Sequence, residues 1–174
     1  MRRLIISILA AGLAAGTLFS ATGAASASRA AAHHRAGCTT FAQVFLHVNK
    51  SGVNYFVGTP NTTFAGAVVR LKPQMNITTH WTGCLVSGDE ILLFNRNLVL
   101  TSSGIPGSDV TVEHVLNFGN GTARQRWHAT ISPTGDTVVL RNVKSSQFLR
   151  VRNSGPVMGQ TVTTGFTPTT WLTR

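Results

Sequence analysis

The sequence predicts an all-β domain built from three repeats of four strands each. The three tryptophans, Trp81, Trp127 and Trp171, are spaced by 46 and 44 residues. Residues 38–174 contain 21 threonines and 17 valines, β-branched residues that favour strands over helices. No stretch of ten residues shows the three-to-four-residue apolar spacing of an amphipathic helix. The pattern therefore indicates repeated short strands.

Each repeat has the same order of segments, and we place the repeats at residues 38–84, 85–132 and 133–174. Two short apolar stretches come first, then a turn rich in Gly, Pro, Ser and Asn, a stretch of Thr and Val, a polar loop, and the tryptophan. The predicted strand stretches before each tryptophan are 44–48, 55–57 and 67–71, then 91–94, 98–100 and 110–115, then 138–140, 148–151 and 161–163. Each tryptophan opens or lies in a fourth strand, which makes about twelve strands in all.

The number of repeats limits the architectures that the domain can adopt. A propeller of four-stranded blades needs at least about four blades. Three units can instead bury their strand edges by closing six strands into a barrel and capping one end with three hairpins. This arrangement is the β-trefoil, and residues 38–174 form a single domain of that size.

The two cysteines support the same arrangement. Cys38 precedes the first predicted strand and Cys84 follows the fourth, and these strands are antiparallel neighbours in a β-trefoil. We therefore expect a disulfide between Cys38 and Cys84, which an exported protein would retain. Closing that loop would stabilise the fold by about 4 kcal/mol. The alternative is lipid attachment at Cys38, against which Arg35 and the distance from the apolar run both argue.

The first 27 residues have the features of a cleavable signal peptide. Arg2 and Arg3 precede an apolar run over residues 4–19, and Ala25 and Ala27 form an A-x-A cleavage site. The alternative is a membrane anchor, but the run is short and rich in Gly and Ala. Residues 28–37 are predicted to be a flexible, basic tail. The mature chain is thus expected to be secreted and to lack a membrane span.

The closing phrase of the second repeat, Gln125-Arg126-Trp127, together with the tryptophan spacing, resembles the ricin-type lectin family of β-trefoils, whose repeats end in Gln-x-Trp. Thr79 and Thr169 stand in place of the glutamine in the other two repeats. The resemblance implies that the three tryptophans and Gln125 form the repeat core. It also implies that the domain binds carbohydrate.

That family binds sugar in a shallow pocket of each repeat, with an aspartate after the second strand, a stacking aromatic ring, and an asparagine or glutamine. Here the aspartate places fall at Val57, Leu100 and Arg150. The aromatic places fall near Lys72, Val115 and Gly165, and the asparagine places at Thr78, Arg124 and Pro168. On this alignment no repeat retains the pocket, so a bound glycan would contact other residues.

Charge gives a second set of candidate binding residues. From residue 28 onward the chain has 13 Lys and Arg against five Asp and Glu, a net charge of +8 that favours polyanionic surfaces. In the third repeat Arg141, Arg150, Arg152 and Asn153 could form an anion-binding patch, since Arg150 and Arg152 share a strand face. The alternative is a solvated sheet edge, where basic residues discourage edge pairing.

Catalytic and metal-binding motifs do not stand out. The sequence contains no G-x-S-x-G, H-E-x-x-H or phosphate-loop motif. Asp89 and Glu90 are adjacent, and adjacent strand residues face opposite ways. We therefore predict no catalytic residue, metal or cofactor, and the sequence does not favour specific nucleic-acid binding. The predicted function is a secreted, non-enzymatic module for extracellular carbohydrate or anionic cell-wall polymer. The alternative is a protein-binding module, either a protease inhibitor or an adaptor subunit of an exported complex.

Overall fold

A computed structural model describes residues 38–117, 119–152 and 158–173. The predicted signal peptide, the predicted basic tail and Asn153 lie outside the described residues. The described residues form β-strands joined by turns and loops, and no helix among them is long and apolar enough to cross a membrane.

The described strands follow the predicted repeat order. The first repeat contains β1 Thr39–Val44, β2 His47–Lys50, β3 Val53–Gly58, β4 Ala67–Val68, β5 Arg70–Lys72 and β6 Trp81–Ser87. The second contains β7 Glu90–Asn95, β8 Leu98–Thr101, β9 Thr111–His114 and β10 Trp127–Ile131. The third contains β11 Thr137–Asn142, β12 Phe148–Val151, β13 Val162–Gly165 and β14 Trp171–Leu172. Two predicted strands of the first repeat are each interrupted, one between β1 and β2 and the other at Val69.

Six of the predicted strands close into a barrel. The strand β1 pairs with β6, which pairs with β7, and the ring continues through β10, β11 and β14 back to β2. Because β1 and β2 are two halves of one interrupted strand, the ring has no free edge. Every pairing is antiparallel. Six of the remaining strands form three hairpins, β3 with β5, β8 with β9, and β12 with β13, and the short β4 pairs with β9.

The three hairpins meet in a ring of backbone hydrogen bonds. The Val69 N–H donates to the Val110 carbonyl at 2.9 Å, Val110 donates to Val162 at 2.8 Å, and Val162 donates back to Val69 at 3.0 Å. All three valines are fully buried. The interruption at Val69 follows from this ring, because its N–H is directed to another repeat and not to the strand beside it. The ring marks the threefold axis of the cap.

The three tryptophans anchor the core in the same way. Each is fully buried and starts the last strand of its repeat. Their indole N–H groups donate to the carbonyls of Val57, Leu100 and Leu149 at 2.9, 3.1 and 3.2 Å, respectively. These contacts define the equivalent positions of the repeats. They also correct the sequence alignment, because the third-repeat equivalent of Val57 and Leu100 is Leu149 and not Arg150.

The predicted disulfide is confirmed. Cys38 and Cys84 are bonded, with their Cα atoms 5.6 Å apart. The bond links the start of β1 to β6, whose register sets Thr40 opposite Cys84. Cys84 is fully buried in a small cluster with Leu92, Phe94 and Val99. The disulfide therefore fastens the first strand of the barrel to its neighbour.

Candidate functional site

Each hairpin has two positions that could form a ligand pocket. The register sets Val57, Leu100 and Leu149 opposite Leu71, Val112 and Thr164. In each hairpin, the next residue on the first strand and the next residue on the second strand are diagonal neighbours. The three diagonal pairs are Gly58 with Lys72, Thr101 with Glu113, and Arg150 with Gly165. The sequence alignment placed the second-repeat aromatic position near Val115, and the register corrects this position to Glu113.

In the first repeat, Lys72 occupies the space between these positions. Its ammonium Nζ donates to Asn61 Oδ1 at 3.1 Å and to Thr78 Oγ1 at 2.9 Å. Its aliphatic stem lies over Gly58, where an added Cβ would be 3.1 Å from Lys72 Cδ. Partial burial lowers the pKa of Lys72, because desolvation disfavours the charged ammonium. A side chain of the protein itself therefore fills this position.

In the third repeat, Arg150 fills the matching space from the opposite strand. A Cβ added at Gly165 would lie only 2.7 Å from Arg150 Cδ and 3.2 Å from its Nη1. The Arg150 Nε donates to the Val151 carbonyl at 3.2 Å. The aliphatic part of Arg150 thus lies directly on the glycine backbone.

In the second repeat the same space is open. Thr101 and Glu113 stand where the other repeats have a glycine and a long basic residue. A cavity of about 480 Å³ lies there. Its polar lining consists of Thr101, Ser102, Ser103, Thr111, Glu113, His114, Thr122, Arg124 and Gln125. We refer to this cavity as the second-repeat pocket.

Glu113 supplies the carboxylate of the second-repeat pocket. It is half-buried and accepts a hydrogen bond from Thr111 Oγ1 at 3.1 Å, which orients one carboxylate oxygen. An ionised carboxylate has about four acceptor sites, so one internal bond leaves capacity for hydroxyl donors. Arg124 and His114, both exposed, add N–H groups at the same cavity. The lining thus combines acceptors and donors.

Gln125 builds one wall of this pocket. Its side chain is buried, with Oε1 accepting from the N–H groups of Leu116 and Thr122 at 3.2 and 3.1 Å. Its Nε2 donates to the His114 carbonyl at 2.7 Å. One side chain thus connects the backbone at His114, Leu116 and Thr122. In the first repeat the shorter Thr79 side chain bonds to the nearby Asn76, accepting from its N–H at 2.8 Å and donating to its carbonyl at 2.9 Å.

The backbone at position 121, beside Gln125, has room only for glycine. Its φ is +67°, a left-handed conformation that favours glycine. A Cβ added there would lie 2.7 Å from Leu92 Cδ2 and 3.3 Å from Gln125 Cβ. The loop and the buried amide therefore pack together only without a side chain at this position.

The predicted basic residues of the third repeat contact three different segments. Arg141 lies over the Phe148 ring at 5.9 Å and donates to the Ser146 carbonyl at 3.0 Å. Arg152 donates to the Gly107 carbonyl at 3.3 Å and lies 3.4 Å from an Asp109 carboxylate oxygen. Arg150 lies across Gly165, as described above. An anion-binding role for these residues stays a prediction.

The adjacent acids Asp89 and Glu90 are directed to separate partners. Asp89 lies 3.0 Å from His128 Nδ1, and Glu90 pairs with Arg126 at 2.7 Å. Within residues 38–117, 119–152 and 158–173, no group of three His, Cys, Asp or Glu side chains is placed to hold a metal ion. Glu90 therefore has an ion-pair partner in Arg126, and Asp89 has a hydrogen-bond partner in His128.

A further cavity lies inside the barrel. It measures about 300 Å³ and is lined almost entirely by apolar residues, including Val44, Leu93, Val138 and Leu140 of the barrel strands. Ile131, about half exposed, stands at its edge. Its lining lacks the charged groups found in the second-repeat pocket.

Known proteins share this fold at low sequence identity. No protein-family model matches the sequence, and no curated protein matches it either. The designed threefold-symmetric protein ThreeFoil is 18% identical, with a TM-score of 0.64 over 75% of this chain and 96% of that one. The Polyporus squamosus lectin, solved with the human-type influenza-binding epitope Neu5Aca2-6Galb1-4GlcNAc, is 12% identical with a TM-score of 0.55 over 75% and 48% of the two chains.

A second lectin gives a similar result. SeviL, solved with the asialo-GM1 saccharide, is 11% identical, with a TM-score of 0.55 over 76% of this chain and 95% of that one. Likeness at these identities establishes the fold. Together with the closed six-stranded barrel and its three hairpins, it confirms that this chain is a β-trefoil.

Proposed function

We propose that this protein is an exported, non-enzymatic carbohydrate-binding module whose binding site is the second-repeat pocket. The observation that carries the proposal is the half-buried Glu113 carboxylate in an open cavity, at a position that basic side chains fill in the other two repeats. Export is supported by the signal-like features of residues 1–27 and by the disulfide.

The chemistry of the pocket suits a sugar. Neighbouring hydroxyl groups on a pyranose ring can both donate to one carboxylate, and such charge-assisted bonds are stronger than neutral ones. The hydroxyl groups of Thr101 and Ser103 and the guanidinium of Arg124 can complete the contacts to other sugar oxygens. A cavity of about 480 Å³ is within the usual size of small-molecule sites. The sugar-bound lectins of the same fold further support this class of ligand.

A glycan array with neutral and anionic sugars, measured at low and high salt, tests the proposal. We expect binding that persists at high salt and weakens about 10- to 100-fold in Glu113→Gln, which keeps the shape but removes the charge. Asp136→Asn is the matched control, because this exposed carboxylate belongs to the β10–β11 turn and is absent from the pocket lining. Unchanged binding in Glu113→Gln would overturn the assignment of the site.

The same measurements separate the other functions predicted from sequence. Binding that disappears at high salt would indicate adsorption to a basic surface, because salt screens exposed charges. Absence of glycan binding, together with a stoichiometric protein partner captured from culture fluid, would favour the protein-binding module instead.

A further inference from the structure

A third cavity, next to the second-repeat pocket, carries the inference. It measures about 330 Å³ and is lined by Thr63, Phe64 and Ala65 of the first repeat and by Arg96, Asn97, Leu98 and His114 of the second. His114 lines both cavities. Leu98 is the cross-strand partner of His114, so the floor passes from one cavity to the other across a single hairpin.

The backbone fixes Phe64 relative to the strand that carries Glu113. The Ala67 N–H donates to the Phe64 carbonyl at 3.0 Å, and the Gly66 N–H donates to the Val112 carbonyl at 2.8 Å. Val112 immediately precedes Glu113 in β9 and pairs with Ala67. The first-repeat loop therefore crosses directly onto β9. Phe64 as a whole residue is 62% exposed, so most of its surface is available.

A buried polar network holds the base of this loop. Thr63 Oγ1 donates to Thr59 Oγ1, and Thr59 Oγ1 donates to Asn95 Oδ1, each at 3.0 Å. The Asn95 amide nitrogen donates to the carbonyls of Thr78 and His80 at 3.1 and 2.8 Å. Thr59 and Asn95 are fully buried, and Asn95 directly precedes Arg96 and Asn97. Satisfied buried networks of this kind rigidify the segments they join.

Building on the proposed function, we infer that the ligand is an oligosaccharide of at least two units and that Phe64 stacks against its second unit. Among the described residues that line the second-repeat pocket there is no Phe, Tyr or Trp ring against which a sugar could stack. Phe64 supplies that ring from the neighbouring repeat, on the far side of His114. Pyranose rings have an apolar C–H face that packs on exposed aromatic surface while their hydroxyl groups face polar groups.

Matched mono-, di- and trisaccharide series of β1-4 glucose, β1-4 N-acetylglucosamine and galactose-terminated sugars test the inference by titration. For the series that binds, affinity should rise from one unit to two. Phe64→Ala should lower the affinity for the disaccharide about three- to tenfold and leave the affinity for the monosaccharide unchanged. Phe64→Trp should retain the disaccharide affinity, because the larger ring still stacks.

Phe166→Ala is the matched control, since Phe166 is 73% exposed on the third repeat, and it should change neither affinity. Equal disaccharide affinity in wild type and Phe64→Ala, with Glu113→Gln still defective, would overturn the role of Phe64 and leave the proposed function standing. Failure of every sugar in all three series to bind would overturn both. A thermal midpoint unchanged in Phe64→Ala would show that the variant is folded.

Discussion

In the first and third repeats a basic side chain lies across a glycine, whereas in the second repeat Thr101 stands beside Glu113 and the same space is open. The two basic side chains come from opposite strands of their hairpins. Lys72 lies in β5, the later strand of the first hairpin, and Arg150 lies in β12, the earlier strand of the third. The buried parts of the repeats agree closely, down to the tryptophan hydrogen bonds. Symmetry is therefore maintained in the core, while two surface positions determine whether a pocket is open.

The largest expected effect tests the equivalence of the cores. Trp127→Ala should lower the free energy of unfolding by about 3–5 kcal/mol, because it leaves a large cavity. Trp81→Ala and Trp171→Ala should cost similar amounts, since all three indoles are fully buried with equivalent acceptors. Chemical denaturation provides the measurement, and Phe166→Ala provides an exposed aromatic control. A Trp127 variant much more stable than the other two would contradict the threefold equivalence.

The next largest effect is expected from a substitution that makes the second repeat resemble the other two. Gln125→Thr introduces the residue found at positions 79 and 169 and removes three hydrogen bonds from the pocket wall. We expect a loss of about 3 kcal/mol in unfolding free energy, at about 1 kcal/mol per bond, together with weaker glycan binding. The same change at the exposed Gln74 should have little effect. Wild-type glycan affinity in a folded Gln125→Thr variant would show that the wall is dispensable.

A smaller effect distinguishes the two filled repeats from each other. A Cβ at Gly58 would lie 2.7 Å from Thr79 Cγ2 and 3.0 Å from the Thr78 carbonyl oxygen, both held in place by a packed loop. Gly58→Ala should therefore cost about 1–3 kcal/mol. Gly165→Ala meets only the flexible Arg150 side chain and should cost less than about 1 kcal/mol. Equal losses in the two thermal denaturation series would contradict this difference.

The smallest effect is the pH dependence that Lys72 introduces. Burial lowers its pKa in the folded protein below the ordinary value of 10.5, so the unfolded chain binds this proton more tightly. Lys72 therefore destabilises the fold when the pH is below its folded pKa, and this penalty disappears as the pH rises above the unfolded value. Lys72→Met should flatten the alkaline rise in stability measured by denaturation at several pH values. The exposed Lys144→Met is the control, and an identical rise in both variants would contradict the assignment.

The sequence was sufficient to predict the β-trefoil, because its signals are regular and local. Tryptophan spacing, β-branched composition and the two cysteines all report on strands that pair with near neighbours. The barrel, the cap hairpins and the Cys38–Cys84 bond followed from that pattern and are confirmed. The two interrupted strands were not predicted, since the interruption at Val69 results from a bond to a distant repeat.

The open pocket could not be predicted, because it depends on register. A shift of one residue along a strand exchanges the two faces of a sheet. The alignment placed Arg150 where Leu149 lies, and it placed the second-repeat aromatic position near Val115 where the register has Glu113. The filling of the other two repeats depends further on where the long side chains of Lys72 and Arg150 extend. The scarcity of acids in the chain was the signal that could have drawn attention to Glu113.

The ring of hydrogen bonds among Val69, Val110 and Val162 also bears on when the protein can become native. Each valine donates to one repeat and accepts from another, so a chain that lacks its last repeat leaves a buried donor and a buried acceptor unsatisfied. During synthesis, two completed repeats therefore cannot form a stable cap. Cooperative closure has to wait until the third hairpin is available, and contacts this distant in sequence form slowly. The ring thus makes closure of the cap depend on the third repeat.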